Sequence, residues 1–257
     1  MQKWLLTILM VFAIPVQAID IDSLDLKSLL APGNAQTQFN SLMKGFANVS
    51  AYRAVKAPRP MGALVGVDVG LDLSNTDLAE VNTVLTDLGE AIVASLPVPK
   101  AHAHVTLPLG IGLSAFAAPE VEGVGLQGAA LNYAFINGDI GFIVEAVYTL
   151  SGGVHTTSMN VDNVFDMSSV GGDVTVLLGI DLPLLKINPY AGIGFDQVSA
   201  TPKFSTEGLD VSATDFSQTR LFAGVEVKLA LFILSVEMDQ IGDTSTTSGK
   251  IGMGFGF

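Results

Sequence analysis

Apolar and polar residues alternate along most of this chain in short segments. From Ala63 to Leu73 every second residue is Ala, Val or Leu, while Asp68, Gly70 and Asp72 occupy positions between them. Because successive side chains of a β-strand point to opposite faces, the pattern predicts a strand with one apolar face. The same alternation predicts strands within 107–114, 130–135, 141–149, 170–181, 189–198, 220–229, 232–239 and 251–257.

An even number of strands is expected if these segments close into a single-chain outer-membrane barrel. We assign the missing strand to Ala47–Lys56, ahead of a turn at Pro58 to Pro60. Asn137-Gly138 is a tight hairpin signal between two of the predicted strands. The expected total is about ten strands, with eight or twelve as alternatives.

Charged residues in the predicted strands fall on the face opposite the apolar rows. A charge facing lipid at the middle of a barrel costs roughly 2–4 kcal/mol for a basic residue and somewhat less for an acid, so this distribution favours a polar lumen and an apolar exterior. The residues predicted to line the lumen are Asp68, Asp72, Glu145, Asp173, Asp181, Asp196, Arg220, Glu226, Lys228, Glu237, Asp239 and Lys250.

The composition is typical of a membrane protein. The mean hydropathy is +0.51 and charged residues make up only 14% of the chain. A closed barrel satisfies every backbone group within hydrocarbon by using short strands. We therefore predict an all-β fold: a transmembrane, antiparallel, up-and-down β-barrel. The alternative is a soluble β-sandwich, whose apolar face would be buried inside the protein.

The amino-terminal residues predict export. Lys3 precedes the apolar stretch Trp4–Val16, and Val16-Gln17-Ala18 is a small-x-small cleavage motif. We expect a signal peptide at 1–18, a helical segment at 19–46 and the barrel at 47–257; an uncleaved membrane anchor is the alternative. Removing 1–18 takes away one base and no acid, so the charge becomes 11 − 25 = −14. That acidity argues against a nucleic-acid partner.

Two segments have helical spacing. Ala35–Val49 places Phe39, Leu42, Met43 and Phe46 on one face, and this helix is predicted either to plug the lumen or to pack on the periplasmic rim. Apolar residues also recur at near-helical spacing in Asp77–Leu96. We expect an amphipathic helix there on the periplasmic side, or an ordinary connecting helix. Numerous inward glycines predict lumen space that side chains do not fill.

The carboxy-terminal strand ends on Phe257, as the closing strands recognised by the barrel-assembly machinery do. Together with this ending, several motifs resemble a family of uncharacterised outer-membrane β-barrel proteins of proteobacteria, similar in turn to porin-like and transporter barrels. The resemblance covers most of the chain beyond about Phe46 and implies location in the outer membrane of Gram-negative bacteria. The motifs are Leu96-Pro97-Val98-Pro99-Lys100 leading to His102 and His104, Tyr148-Thr149-Leu150-Ser151-Gly152, Pro189-Tyr190-Ala191-Gly192-Ile193-Gly194 and Phe222-Ala223-Gly224-Val225.

Catalytic and metal chemistry have weak support. His102 and His104 lie two apart on one strand face, where two imidazoles could share a metal, but no cysteine or nearby carboxylate completes a ligand set. We predict aromatic-belt or rim positions for both, no metal and no cofactor. His155 is expected in an outer loop within 153–168, where it would serve a lipid-modifying enzyme only if a serine and an acid joined it.

The leading functional prediction is a channel or transporter for small solutes. Because acids outnumber bases among the predicted lumen residues, an open lumen would prefer cations. The alternative from another class is a non-conducting structural or surface-interaction barrel that acts through its extracellular loops and has a plugged, ion-paired interior. Expected partners are outer-membrane lipid, the assembly machinery during biogenesis and a small solute.

Overall fold

The structure, a computed structural model, covers the helix, the strands and most of their connections. It describes residues 30, 33–54, 65–78, 81, 82, 84, 86, 95–120, 123–140, 145–182, 184–203 and 211–256. The predicted signal peptide, its cleavage site and Phe257 lie outside the described residues.

One helix, α1 (Ala35–Ser50), precedes ten strands. The strands are β1 (Gly66–Asp77), β2 (Ser95–Thr106), β3 (Ile111–Ala117), β4 (Val124–Asp139), β5 (Glu145–Val161), β6 (Phe165–Leu182), β7 (Leu185–Pro202), β8 (Thr214–Leu229), β9 (Phe232–Ile241) and β10 (Thr244–Gly256). Among the described residues, α1 and the other helical positions are too short or too polar to cross a membrane.

The strands form a closed antiparallel barrel in which each strand pairs with its neighbours in sequence, and β10 closes on β1. The predicted up-and-down barrel of ten strands is therefore confirmed. The tenth strand was predicted in the wrong place: Ala47 to Ser50 continue α1, and the missing strand is β2. Asn137-Gly138 is not a turn either, because both residues pair with β5 inside β4.

The barrel has two distinguishable rims. At the terminal rim β1 begins and β10 ends, and the strands are joined through the brief connections 107–110, 140–144, 183–184 and 230–231. At the loop rim the connections are 78–94, 118–123, 162–164, 203–213 and 242–243. The predicted outer loop at 153–168 is mostly strand, since β5 extends to Val161 and β6 begins at Phe165.

The predicted helix at Asp77–Leu96 is partly correct in structure and wrong in position. Positions 81, 82, 84 and 86 are helical, but Asp77 belongs to β1 and Leu96 to β2. Since β1 ends and β2 begins at the loop rim, this connection lies at the end of the barrel opposite Gly256. The Phe257 end was the predicted periplasmic side, so the segment is on the other side.

Large apolar side chains are exposed along the outside of the barrel wall. Leu71 is 65% exposed and Val174 is 47% exposed, although both lie in the middle of strands. No second layer covers these rows within the described residues, so the alternative of a soluble sandwich is wrong. The outer surface is the apolar face that the alternation predicts.

Several of the inward glycines do not leave open space, contrary to the prediction. A methyl group added at Gly70 would meet the His102 ring and the backbone of β10, and one at Gly224 would meet the Tyr190 ring. These glycines are places where the side chain of a neighbouring strand lies flat against the wall. The space is thus occupied by polar and aromatic groups.

Candidate functional site

Helix α1 enters the barrel at the loop rim and fills that half of the lumen. Its apolar face follows the i, i+3, i+4, i+7 spacing, and Phe39, Leu42, Met43 and Phe46 are all buried. The Phe46 ring lies 5.2 Å from the ring of Phe165, the first residue of β6. The predicted plug residues therefore lie among side chains of the barrel wall.

The connections at the loop rim extend the same apolar core. Leu78 and Val81 from the β1–β2 connection and Val211 from the β7–β8 connection are buried in one cluster with α1, and Leu30 joins them from the amino-terminal side. Gln36 of α1 exchanges hydrogen bonds with Ser212: its side-chain oxygen accepts from the Ser212 backbone N–H at 2.7 Å. The loop end of the barrel is capped as well as plugged.

Arg53 fastens the inner end of α1 to the wall. Its guanidinium donates to Asp239 through Nε at 2.6 Å and Nη2 at 3.1 Å, and Nη2 also donates to Thr246 at 2.8 Å. The same group donates to the backbone oxygens of Asn48 and Val49, which are free at the end of a helix. Both side chains of the ion pair are fully buried.

Tyr52, next to Arg53, meets a second buried cluster. Its ring stacks on His155 with centroids 4.9 Å apart, and its hydroxyl donates to Ser114 at 3.1 Å. His155 lies between two carboxylates, 2.7 Å from Asp196 and 3.4 Å from Asp173. The expected loop position of His155 is wrong, because β5 directs this side chain into the lumen.

The other two histidines also face inward, which corrects the predicted rim or aromatic-belt positions. His102 contacts Asp72 at 2.9 Å and Asp68 at 3.5 Å, and Lys250 donates to Asp68 at 3.2 Å. His104 hydrogen-bonds the hydroxyls of Ser114 and Thr106. Within the described residues, no group of three or more His, Cys, Asp or Glu side chains is placed to hold a metal ion.

A fourth cluster spans β7, β8 and β9. The Arg220 guanidinium lies 3.7 Å from Glu237 and stacks over the Phe222 ring at 4.5 Å. Tyr190 donates to the other carboxylate oxygen of Glu237 at 2.8 Å, and Asn188 donates to Glu226 at 3.3 Å. Pairing of this kind offsets the cost of burying charge.

Beyond the plug, the lumen holds a cavity that is partly open to solvent. With the solvent at its open side included, its volume is about 550 Å³, and it is lined by Ala54, Asp173, Arg220 and Glu237, together with small polar side chains such as Ser151. Ala54 marks the inner limit of the described plug segment. The lumen is therefore packed in its loop half, and the cavity beyond the plug has charged residues in its wall.

Most of the charged residues predicted for the lumen lie deep inside it, but some do not. Asp181 pairs with Lys186 at 2.6 Å in a partly exposed contact beside the terminal rim, and Lys228 is half-buried near the same rim. Glu145 begins β5, and its side chain is outside the description. Those that are buried are Asp68, Asp72, Asp196, Arg220, Glu226, Glu237, Asp239 and Lys250, with Asp173 on the cavity wall.

The residues that attach the plug were not predicted from the sequence. Arg53 and Tyr52 were assigned to a strand, and Gln36 received no role. One signal was available: Arg53 is a base in an acidic chain and lies a few residues after an amphipathic segment, where a cation can bind free helix carbonyls.

No protein-family model matches the chain, and no curated protein matches it. Among solved structures, Ail, the attachment invasion locus protein of Yersinia pestis, aligns over 77% of this chain and 100% of its own, with 11% identity and a TM-score of 0.37. The translocator domain of autotransporter NalP from Neisseria meningitidis aligns over 85% and 96%, with 11% identity and a TM-score of 0.36. The KdgM porin aligns over 73% and 99%, with 9% identity and a TM-score of 0.32. Similarity at this level carries no argument about function.

Proposed function

We propose that this protein is an outer-membrane barrel of Gram-negative bacteria that passes small solutes when α1 leaves the lumen. The observation that carries the proposal is the reversal of polarity across the wall. Leu71 and Val174 face outward and exposed, while Asp68 and Glu237 are 1% exposed inside. Hydrocarbon covering the wall would remove the outer apolar surface from water, at about 25 cal/mol for each Å².

The plug makes the proposed channel a closed one. Phe46 packs on Phe165 at the loop rim, and Arg53 joins Asp239 further in. A solute therefore passes only if α1 moves or partly unfolds. The contacts of α1 with the wall set how often that happens, because a minor open state is populated according to its free energy above the closed one.

Cation preference is part of the proposal. The cavity next to the plug is lined by Asp173 and Glu237 and by a single described Arg or Lys side chain, Arg220. Removing α1 would also remove Arg53 from Asp239 and so leave a further carboxylate facing the lumen. Rings of acidic side chains favour cations in pores.

A second candidate function rests on the same interior. The apolar cap formed by Leu30, Leu78, Val81 and Val211 closes the loop end, as a non-conducting surface-interaction barrel would require. In that case loop deletions would change the phenotype and lumen substitutions would not. We assign no catalytic residue, cofactor or nucleic-acid partner in either case, and His155 has a structural role.

Reconstitution in planar lipid bilayers tests the proposal. We expect the full-length chain to be silent or to open rarely, and a variant lacking residues 35–54, which removes Arg53 together with α1, to show frequent conductance steps with cation preference. Heat-dependent mobility on gels verifies that each variant forms a barrel. A folded deletion variant without conductance would overturn the channel and favour the surface-interaction barrel.

A further inference from the structure

The plug segment has a defined direction inside the barrel. Gln36 at its start bonds Ser212, which lies in the β7–β8 connection beyond the loop rim. Phe46 meets Phe165 at the rim itself. Tyr52 stacks on His155, six residues below the loop-rim end of β5, and Ala54 lines the cavity. The chain therefore runs inward from the loop rim.

The next strand begins at the other end of the barrel. Gly66 opens β1 at the terminal rim, where it pairs with Gly256 of β10. Asn34, just before α1, and Gly66 thus lie at opposite ends of the molecule. The described part of the stretch between them runs inside the barrel from the loop rim as far as Ala54 at the cavity.

The length of the connections distinguishes the outer rim from the inner one. In outer-membrane barrels the periplasmic turns are short and the extracellular loops are longer. Here the terminal-rim connections have two to five residues, whereas the loop rim has three short connections and the two longest ones of the barrel, 78–94 and 203–213. The loop rim is accordingly the extracellular one, if the barrel is inserted as proposed above.

We infer that Asn34 and the start of α1 lie on the outside of the cell, and that the chain enters the lumen there and reaches β1 at the periplasmic rim. This inference rests on the proposed membrane insertion but not on conduction. An ordinary barrel with a periplasmic amino-terminal extension would place Asn34 and Gly66 at the same rim. Leu30 and Asn34 instead lie at the loop rim: Leu30 is buried in the loop-rim core, and Asn34 is exposed just before α1.

A cysteine-free chain allows a direct test by labelling. Asn34→Cys is the test position, because Asn34 is exposed and its side chain makes no capping hydrogen bond. Asp243→Cys in the β9–β10 turn reports the loop rim, and Leu231→Cys in the β8–β9 turn reports the terminal rim; both residues are exposed. Intact cells are treated with a membrane-impermeant maleimide, and labelling is compared with that of permeabilised cells.

We expect the cysteines at 34 and 243 to be labelled fully in intact cells, and the cysteine at 231 only after permeabilisation. If position 34, like position 231, is labelled only after permeabilisation, the passage of the chain through the lumen is overturned. Labelling of position 231 together with protection of position 243 would overturn the outer display, because the barrel would be inverted. Heat-dependent gel mobility confirms that each variant is folded. None of these readouts depends on conductance, so a failed channel proposal leaves this test intact.

Discussion

Replacing Arg53 by Ala should open the barrel without deleting any part of it. The guanidinium is the inner fastening of α1: it binds both oxygens of Asp239 and the carbonyls of the last helical turn. The variant leaves the apolar face of α1 unchanged. It therefore separates the contribution of one buried ion pair from that of the whole plug.

The size of the effect follows from the burial of the pair. Removing one partner of a buried salt bridge costs about 3–5 kcal/mol, since the remaining charge is left without compensation. Asp239 can regain water only when α1 moves away, so the cost falls on the closed state. At 1.4 kcal/mol for each factor of ten, the ratio of closed to open barrels should fall by roughly two to three and a half orders of magnitude.

Single-channel recording in planar bilayers measures this ratio. Lys44→Ala is the matched control, because Lys44 is an exposed base on the same helix. Arg53→Lys keeps the charge but loses the paired hydrogen bonds, and it should give an intermediate open fraction. The double variant with Asp239→Ala should recover part of the closure, because it removes the uncompensated acid. If the folded Arg53→Ala barrel opens no more often than the Lys44→Ala barrel, the plug is not held by this pair and the reasoning is refuted.

Three further predictions concern the wall. Gly70→Ala should lower the free energy of unfolding in urea by about 1–3 kcal/mol, because the new methyl group meets the β10 backbone. Gly249→Ala is the control: a methyl group at this position meets open space, so the free energy of unfolding should change by less than about 0.5 kcal/mol. Leu71→Arg, on the outer face at mid-strand, should cost roughly 2–4 kcal/mol in lipid, whereas Leu229→Arg beside the terminal rim should cost only about 0–1 kcal/mol. His155→Ala should lower the free energy of unfolding by about 1–3 kcal/mol, because Asp196 loses its contact with the imidazole. Phospholipid analysis by mass spectrometry should show no change. Altered lipid turnover would instead support the enzyme hypothesis.

The barrel wall could be predicted from the sequence because strand alternation is a local property. From Leu234 to Asp239 in β9, for example, each residue shows its face by its own polarity, and Val236 and Met238 are exposed outward as their positions indicate. Closure follows from the need to pair every backbone group. The strand β2 was harder to assign, because Pro97, Pro99 and two inward histidines interrupt the apolar pattern.

The plug contacts could not be predicted because they join residues far apart in the chain. Arg53 meets Asp239 across 186 positions, and Gln36 meets Ser212 across 176. No local period encodes such pairs. The prediction that inward glycines leave open space failed for a related reason. Whether Gly224 leaves a gap depends on the Tyr190 ring of the neighbouring strand, and only the strand register shows that the two residues are paired.

In the proposed channel, closure and cation preference would have a common physical origin. With α1 in place, Asp239 is shielded from water and its negative charge is balanced by Arg53. The carboxylate therefore attracts cations in the lumen only weakly. When α1 leaves, the base leaves with it, and water must enter because a bare carboxylate is too costly to keep in a dry interior. The open lumen is then hydrated and more acidic by one uncompensated charge. Asp239→Asn should therefore weaken both properties together: the plug is held less tightly, and the open channel prefers cations less than that of the Arg53→Ala variant. A reversal-potential measurement in a salt gradient compares the two, and an unchanged preference in Asp239→Asn would separate closure from selectivity.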